Sequence, residues 1–70
     1  MAVKNKKSYV IVIRDNRYIR KEANTFSEKI IEVKKNDKYE YLEEIKNDWY
    51  KVKVKRKIGW IHSSTVKIIK

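Results

Sequence analysis

The fold is decided by the stretch WYKVKVKRKIGWIHSS, which covers residues 49–64. Residues 49–54 alternate with a period of two, as the side chains of a β-strand do. Tyr50, Val52 and Val54 fall on the inward face. The outward face has Trp49, Lys51 and Lys53. The basic turn 55–57 leads into a second apolar segment, residues 58–61, so this stretch predicts a β-hairpin.

The rest of the chain divides into similar short segments separated by polar turns. Leu42 follows Tyr41 and shifts the alternation by one residue, as a β-bulge would. Ser63-Ser64-Thr65 suits one 3-10 turn. The other expected strands are 9–14, 17–20, 30–33, 38–45 and 66–69. The sequence therefore predicts an all-β domain, a small barrel of five or six antiparallel strands.

One segment also allows a helix. Ile30, Ile31 and Lys34 have helical spacing within residues 28–38, but the Asn36-Asp37 break and the β-branched residues favour a strand. Phe26 is predicted to be the one buried residue of a polar loop at 21–28. The predicted core of the barrel consists of Ile11, Ile19, Ile30, Val33, Tyr39, Tyr41, Tyr50, Val52, Val54, Trp60 and Ile61.

Composition limits the function. A chain of 70 residues forms one domain with little room for a deep cleft. It has no cysteine, one histidine and one glycine, which excludes Cys-His chemistry, glycine-rich phosphate loops and clustered metal ligands. His62 next to Ser63 and Ser64 is a weak signal for nucleophile activation, because no acid is placed to orient the ring. We expect a non-catalytic protein with no cofactor and no metal.

The net charge is +10, which favours polyanionic partners such as nucleic acid, anionic membrane or wall polymers. Lysine outnumbers arginine 15 to 4, however, which also fits the composition of an AT-rich genome. Five of the seven residues at 51–57 are basic, and compositional bias explains such crowding poorly. The candidate anion-binding residues are Lys51, Lys53, Lys55, Arg56 and Lys57. Neutralisation by acidic residues in 40–48 is the structural alternative.

No targeting segment is recognisable. The apolar run 9–13 is too short for a signal peptide, and nothing approaches a transmembrane helix. We expect residues 1–8 to form a basic tail and residues 9–70 a single domain. The domain would be cytoplasmic if free-standing. It would lie at the cell wall or outside the cell if it is part of a longer exported protein.

Residues 49–64 resemble the C-terminal half of bacterial Src-homology-3 (SH3b-type) domains. The resemblance rests on Trp49-Tyr50-Lys51-Val52 followed by Gly59-Trp60-Ile61, and it extends upstream to Tyr18-Ile19-Arg20. It covers roughly residues 9–69 and implies an SH3-like barrel. Two features depart from the family pattern: Asn36-Asp37 replaces a common glycine, and the loop after Arg20 lacks its usual proline and glycine.

The resemblance implies a binding module that targets a bacterial cell wall, through a peptidoglycan peptide or an anionic wall polymer such as teichoic acid. Proline-rich peptides are not expected, because His62 and Thr65 stand where eukaryotic Src-homology-3 domains have proline and tyrosine. Aromatic residues near this strand and the long loop form shallow grooves in the bacterial family. The candidate ligand-binding residues are Tyr18, Trp49, Trp60 and His62. For each aromatic residue the alternative is a packing role.

A second function uses the same basic residues differently. The chain could be an intracellular or phage-borne module that binds nucleic acid or an acidic protein. Lys51, Lys53 and the basic turn would then contact phosphates. Trp49 is the clearest candidate for stacking on bases.

Overall fold

The computed structural model describes residues 8–69, which form one antiparallel sheet of seven strands. The strands are β1 (Ser8–Val12), β2 (Arg17–Arg20), β3 (Lys29–Val33), β4 (Lys38–Lys46), β5 (Trp49–Val54), β6 (Lys57–His62) and β7 (Val66–Ile69). A 3-10 turn at Ser63–Thr65 separates β6 from β7. The all-β prediction is confirmed. There are seven strands rather than five or six, because the short segments β2 and β7 both pair with neighbours.

The sheet is curved around a single core. Its strand order is β3-β2-β6-β5-β4-β1-β7, so β3 and β7 are the two edges. Val33 of β3 and Val66 of β7 nevertheless belong to the same buried cluster. A sheet whose opposite edges share one core is rolled in the manner of a small barrel.

Seven of the predicted core residues are buried, and three others are half-buried against the core. The buried residues are Ile19, Val33, Tyr41, Val52, Val54, Trp60 and Ile61. Ile30, Tyr39 and Tyr50 pack on the core from its margin. The prediction was wrong in phase for β1, where Val10 and Val12 are buried and Ile11 is only half-buried. The run 9–13 is apolar at every position, so its sequence carries no period to indicate the inward face.

The prediction that Phe26 is buried was also wrong. It lies in the loop between β2 and β3 and is 95% exposed. The backbone of this loop is held by short-range hydrogen bonds. Phe26 N donates to Asn24 Oδ1 at 2.9 Å, and Glu22 N donates to Ser27 Oγ at 2.7 Å. The turn that these bonds fix leaves the Phe26 ring in solvent.

The tight turns place polar residues at positive φ, where asparagine and aspartate are tolerated best. Asn47 and Asp48 have φ values of 52° and 69° and form the two-residue turn between β4 and β5. Glu43, at φ 60°, lies in the register shift that was predicted as a bulge after Tyr41. The segment 28–38 forms β3 and a turn, which excludes its helical alternative.

Gly59 allows β6 to approach β2 closely. A Cβ atom there would lie 2.5 Å from Ile19 Cγ2 and 3.0 Å from the carbonyl oxygen of Arg20. A side chain at position 59 would push these neighbours apart. Glycine therefore allows the two strands to pair at the next residue, where Trp60 lies opposite Arg20.

The predicted basic tail, residues 1–8, lies outside the described residues except for Ser8, which begins β1. Within residues 8–69, no helix is long and apolar enough to cross a membrane.

Candidate functional site

A groove of about 360 Å³ lies between the 21–28 loop and one end of the barrel. The loop contributes Thr25, and β2 contributes Tyr18 with the two arginines beside it. Trp49 at the start of β5 and His62 at the end of β6 form the opposite wall. The groove residues are Asn16, Arg17, Tyr18, Arg20, Thr25, Trp49, His62, Ser64 and Thr65.

Trp49 lies at the base of this groove rather than on an open surface. The sequence placed it on the outward face of β5, and its register opposite His62 agrees with that face. Its side chain is nevertheless buried, with only 6% exposed, because Ala23 of the loop and Trp60 pack against it. The 21–28 loop therefore covers part of the outer face and builds a second, smaller core there. The burial of Trp49 agrees with the packing role that the sequence left open as the alternative to ligand binding.

His62 is fixed by contacts on both of its sides. Its ring meets the Trp49 ring edge-on, with centroids 5.3 Å apart. Its Nδ1 accepts a hydrogen bond from Ser64 N at 3.1 Å and lies 2.8 Å from Ser64 Oγ. Because Nδ1 accepts the backbone bond, the proton of the neutral ring is on Nε2.

The contact between His62 and Ser64 has the geometry of a cap. The imidazole accepts the first free N–H of the 3-10 turn, as a side chain at a helix N-terminus does. Within residues 8–69, no carboxylate bonds to the His62 ring and no cluster of three or more metal-binding side chains occurs. The arrangement orders the wall of the groove.

Cations border the aromatic wall of the groove. Lys29 Nζ lies 4.2 Å from the centroid of the Tyr18 ring, and Arg20 Cζ lies 5.8 Å from it. Arg20 Nη1 also donates to Ser27 O at 2.9 Å, which ties the 21–28 loop to β2. Arg17 is exposed at the rim. The groove is lined by two guanidinium groups and no acidic residue, so it attracts anionic groups.

Three of the four predicted ligand-binding residues come together in this groove. They are Tyr18, Trp49 and His62. Trp60 does not line it; its ring is buried beside Trp49, with Lys51 Nζ 5.9 Å from its centroid. Arg17 and Arg20 also line the groove, but the sequence did not predict them as site residues. Their position on the same short strand as Tyr18 was the only sequence feature that pointed to a role in binding.

The predicted anion-binding residues separate into two groups. Lys51 Nζ forms an ion pair with Glu44 Oε1 at 3.1 Å, and Lys53 lies opposite Glu40 in the strand register. The ion pair and the cross-strand position of Glu40 agree with neutralisation by the neighbouring strand. The remaining three, Lys55, Arg56 and Lys57, are exposed at the turn between β5 and β6, at the far end of β5 from the groove.

Comparison with protein families matches residues 15–67 to the Bacterial SH3 domain. The match covers more than half of the chain, which therefore belongs to the bacterial SH3 domain family. This confirms the resemblance seen in the sequence. The family consists of non-catalytic binding modules, and many of them bind cell walls. No curated protein matches the chain.

Proposed function

We propose that this protein targets a bacterial cell wall by binding a wall peptide in the groove between the 21–28 loop and the barrel. The observation that carries the proposal is the pairing of an aromatic wall with arginines in a groove that has no acidic lining. Tyr18 offers apolar contact to a peptide backbone or methyl group, and the buried Trp49 ring supports the base of the groove. Arg17 and Arg20 offer charge-assisted hydrogen bonds to a free carboxylate.

The dimensions of the groove suit a short peptide. Its volume of about 360 Å³ lies at the lower end of the range for small-ligand sites. Thr25 and Ser64 add hydroxyl groups that can pair with peptide N–H and C=O groups. This function places the domain outside the cytoplasm, as the targeting part of a longer exported protein.

The alternative of nucleic-acid binding has less support. It relied on Trp49 as the stacking surface for bases, and the side chain of Trp49 is buried. Trp60, the second tryptophan, is buried as well. The groove and the basic turn also lie at opposite ends of β5, so they do not form one continuous track for a strand of nucleic acid.

A pull-down on purified wall sacculi, with and without teichoic acid, tests the proposal. Arg17→Ala removes an exposed groove cation, and we expect it to lower retention on both preparations by about tenfold. Arg56→Ala is the matched control, because it removes the same charge at an exposed site outside the groove. Its retention should equal that of the unmodified protein.

Two results would overturn the groove as the binding site. One is retention that needs teichoic acid and falls with Arg56→Ala but not with Arg17→Ala. The other is the absence of retention on either preparation at low salt. Thermal unfolding of both variants establishes that each change acts on binding and not on the fold.

A further inference from the structure

A second surface surrounds the turn between β5 and β6, at the far end of β5 from Trp49, and reaches the base of the 21–28 loop. Two adjoining cavities of about 420 and 520 Å³ share Ile30 and Lys57. We call this region the hairpin-end surface, because the turn between β5 and β6 forms its centre. Its residues are Lys21, Glu28, Lys29, Ile30, Ile31, Val54, Lys55, Arg56, Lys57 and Ile58.

The charge of this surface is strongly positive. It carries five basic residues and one acidic residue, Glu28. The one ion pair shorter than 4.0 Å within residues 8–69 is Lys51–Glu44, which lies outside it. Lys29 contacts the Tyr18 ring, and the other four cations, Lys21, Lys55, Arg56 and Lys57, are exposed to solvent or to an external anion.

Aliphatic side chains lie between these cations. Ile58 is 53% exposed and stands opposite Lys53 on the outer face of the hairpin. Ile30 and Ile31 are half-buried; Ile30 lines both cavities, and Ile31 lines the smaller one. No aromatic residue lines either cavity. The hairpin-end surface therefore presents an exposed aliphatic side chain among its cations.

The turn between β5 and β6 has a lysine at a backbone conformation that is strained for a residue with a side chain. Lys55 has a φ of 57° in a two-residue turn between β5 and β6, a position that glycine occupies with least strain. The sequence has lysine there and places Arg56 and Lys57 directly after it. Three cations are thus presented together at the tip of the hairpin.

We propose that the hairpin-end surface docks on an anionic phospholipid bilayer. Lysine and arginine side chains would bind lipid phosphates while Ile58 enters the boundary between headgroups and acyl chains. Nucleic acid fits less well, because single strands are held by aromatic stacking and this surface offers only aliphatic side chains. The proposal is separate from wall binding in the groove, since no residue lines both surfaces; Lys29, which contacts the Tyr18 ring, lies between them.

Co-sedimentation of the full chain with vesicles tests the proposal. One set of vesicles contains phosphatidylglycerol and phosphatidylcholine, and the other contains phosphatidylcholine alone. We expect binding to the anionic set only. The double reversal Arg56→Glu with Lys57→Glu should lower the partition coefficient at least 25-fold, at about fivefold for each basic residue.

A matched control separates local from total charge. Lys35→Glu with Lys46→Glu makes the same change in net charge at two exposed positions that line neither the groove nor the hairpin-end surface, and its partition should change by less than about fivefold. Ile58→Ser keeps every charge and should lower partition several-fold, because it removes the inserted side chain. Thermal unfolding checks that each variant is folded.

Three outcomes would overturn the proposal. An equal loss in the two double variants would show that only net charge matters. Unchanged partition of Ile58→Ser, together with equally tight binding to a DNA oligonucleotide, would show a general polyanion site. The absence of binding to phosphatidylglycerol vesicles at low salt would remove the surface as a membrane contact.

Discussion

Gly59 is the residue at which the barrel has least tolerance for change. Its α-hydrogen faces Ile19 and the Arg20 carbonyl, and one of these neighbours is backbone that cannot move without parting β2 from β6. Gly59→Ala should therefore lower the free energy of unfolding by about 1–3 kcal/mol, as overpacking in a core does. Urea denaturation measures this change. The control is Lys53→Ala, an exposed position on the partner strand, and a similar loss in both variants would contradict the steric explanation.

Phe26, in contrast to Gly59, should tolerate substitution without loss of stability. Because its ring is 95% exposed, Phe26→Ser removes almost no buried contact. The free energy of unfolding should stay within about 0.5 kcal/mol of the unmodified protein. Ile19→Ser, at a fully buried position, should by contrast unfold the domain or destabilise it severely. A marked fall in the melting temperature of Phe26→Ser would show that the ring packs against the domain in solution.

The environments of individual side chains, such as Phe26 and Trp49, were the part of the structure that the sequence predicted least well. A lone phenylalanine in a polar loop has the same sequence signature whether it points inward or outward. Trp49 was placed on the correct strand face, but its cover comes from Ala23, more than twenty residues earlier in the chain. Contacts between such distant segments are not encoded in local alternation.

At the scale of elements, the turn between β4 and β5 can be improved. Asp48 occupies the second central position at φ 69°, where an Asn-Gly pair is the favoured two-residue turn. Asp48→Gly should raise the free energy of unfolding by about 0.5–1 kcal/mol, because glycine adopts a positive φ without strain and the Asp48 side chain forms no hydrogen bond within residues 8–69. Lys46→Gly, in the preceding strand, should lower stability by a similar amount. Thermal unfolding that ranks the two variants in the reverse order would refute this account of the turn.

Most elements were predictable from local patterns. The bounds of β2, β5, β7 and the 3-10 turn match their predicted ranges, and those of the other strands differ by two residues or fewer. Alternation, β-branched residues and paired Asn-Asp turns are local signals, so they survive without knowledge of the tertiary fold. The groove was only partly predictable, because its arginines take their meaning from the loop that folds over Tyr18.

At the scale of the whole molecule, one tyrosine in the core and one at its margin make stability depend on pH. Burial raises the pKa of Tyr39 above its ordinary value of 10.0, with further increases from the Asp37 charge and the hydrogen bond to Asp37. Burial likewise raises the pKa of Tyr41, helped by Tyr50 and Glu43. A raised folded-state pKa means that the folded protein holds the proton more tightly than the unfolded chain. This contribution is complete below about pH 10 and is lost as pH rises through the higher folded-state pKa values.

The free energy of unfolding should therefore fall as the pH is raised above about 10, and less steeply in Tyr39→Phe. Urea titrations between about pH 8.5 and 11 measure the two slopes. Lysine deprotonation occurs in both proteins and cancels in the comparison. Parallel curves for the two proteins would exclude Tyr39 as a source of the alkaline destabilisation.

The pairing of β1 with β7 has a consequence for chain connectivity. Tyr9 lies opposite Ile69, so the two ends of the described segment are neighbours across one strand pair. A short linker from β7 to β1 would permit a circular permutant opened between Lys55 and Arg56, with every strand pair retained. For the same reason, the domain can be inserted into a surface loop of a host protein, entering and leaving at a single point.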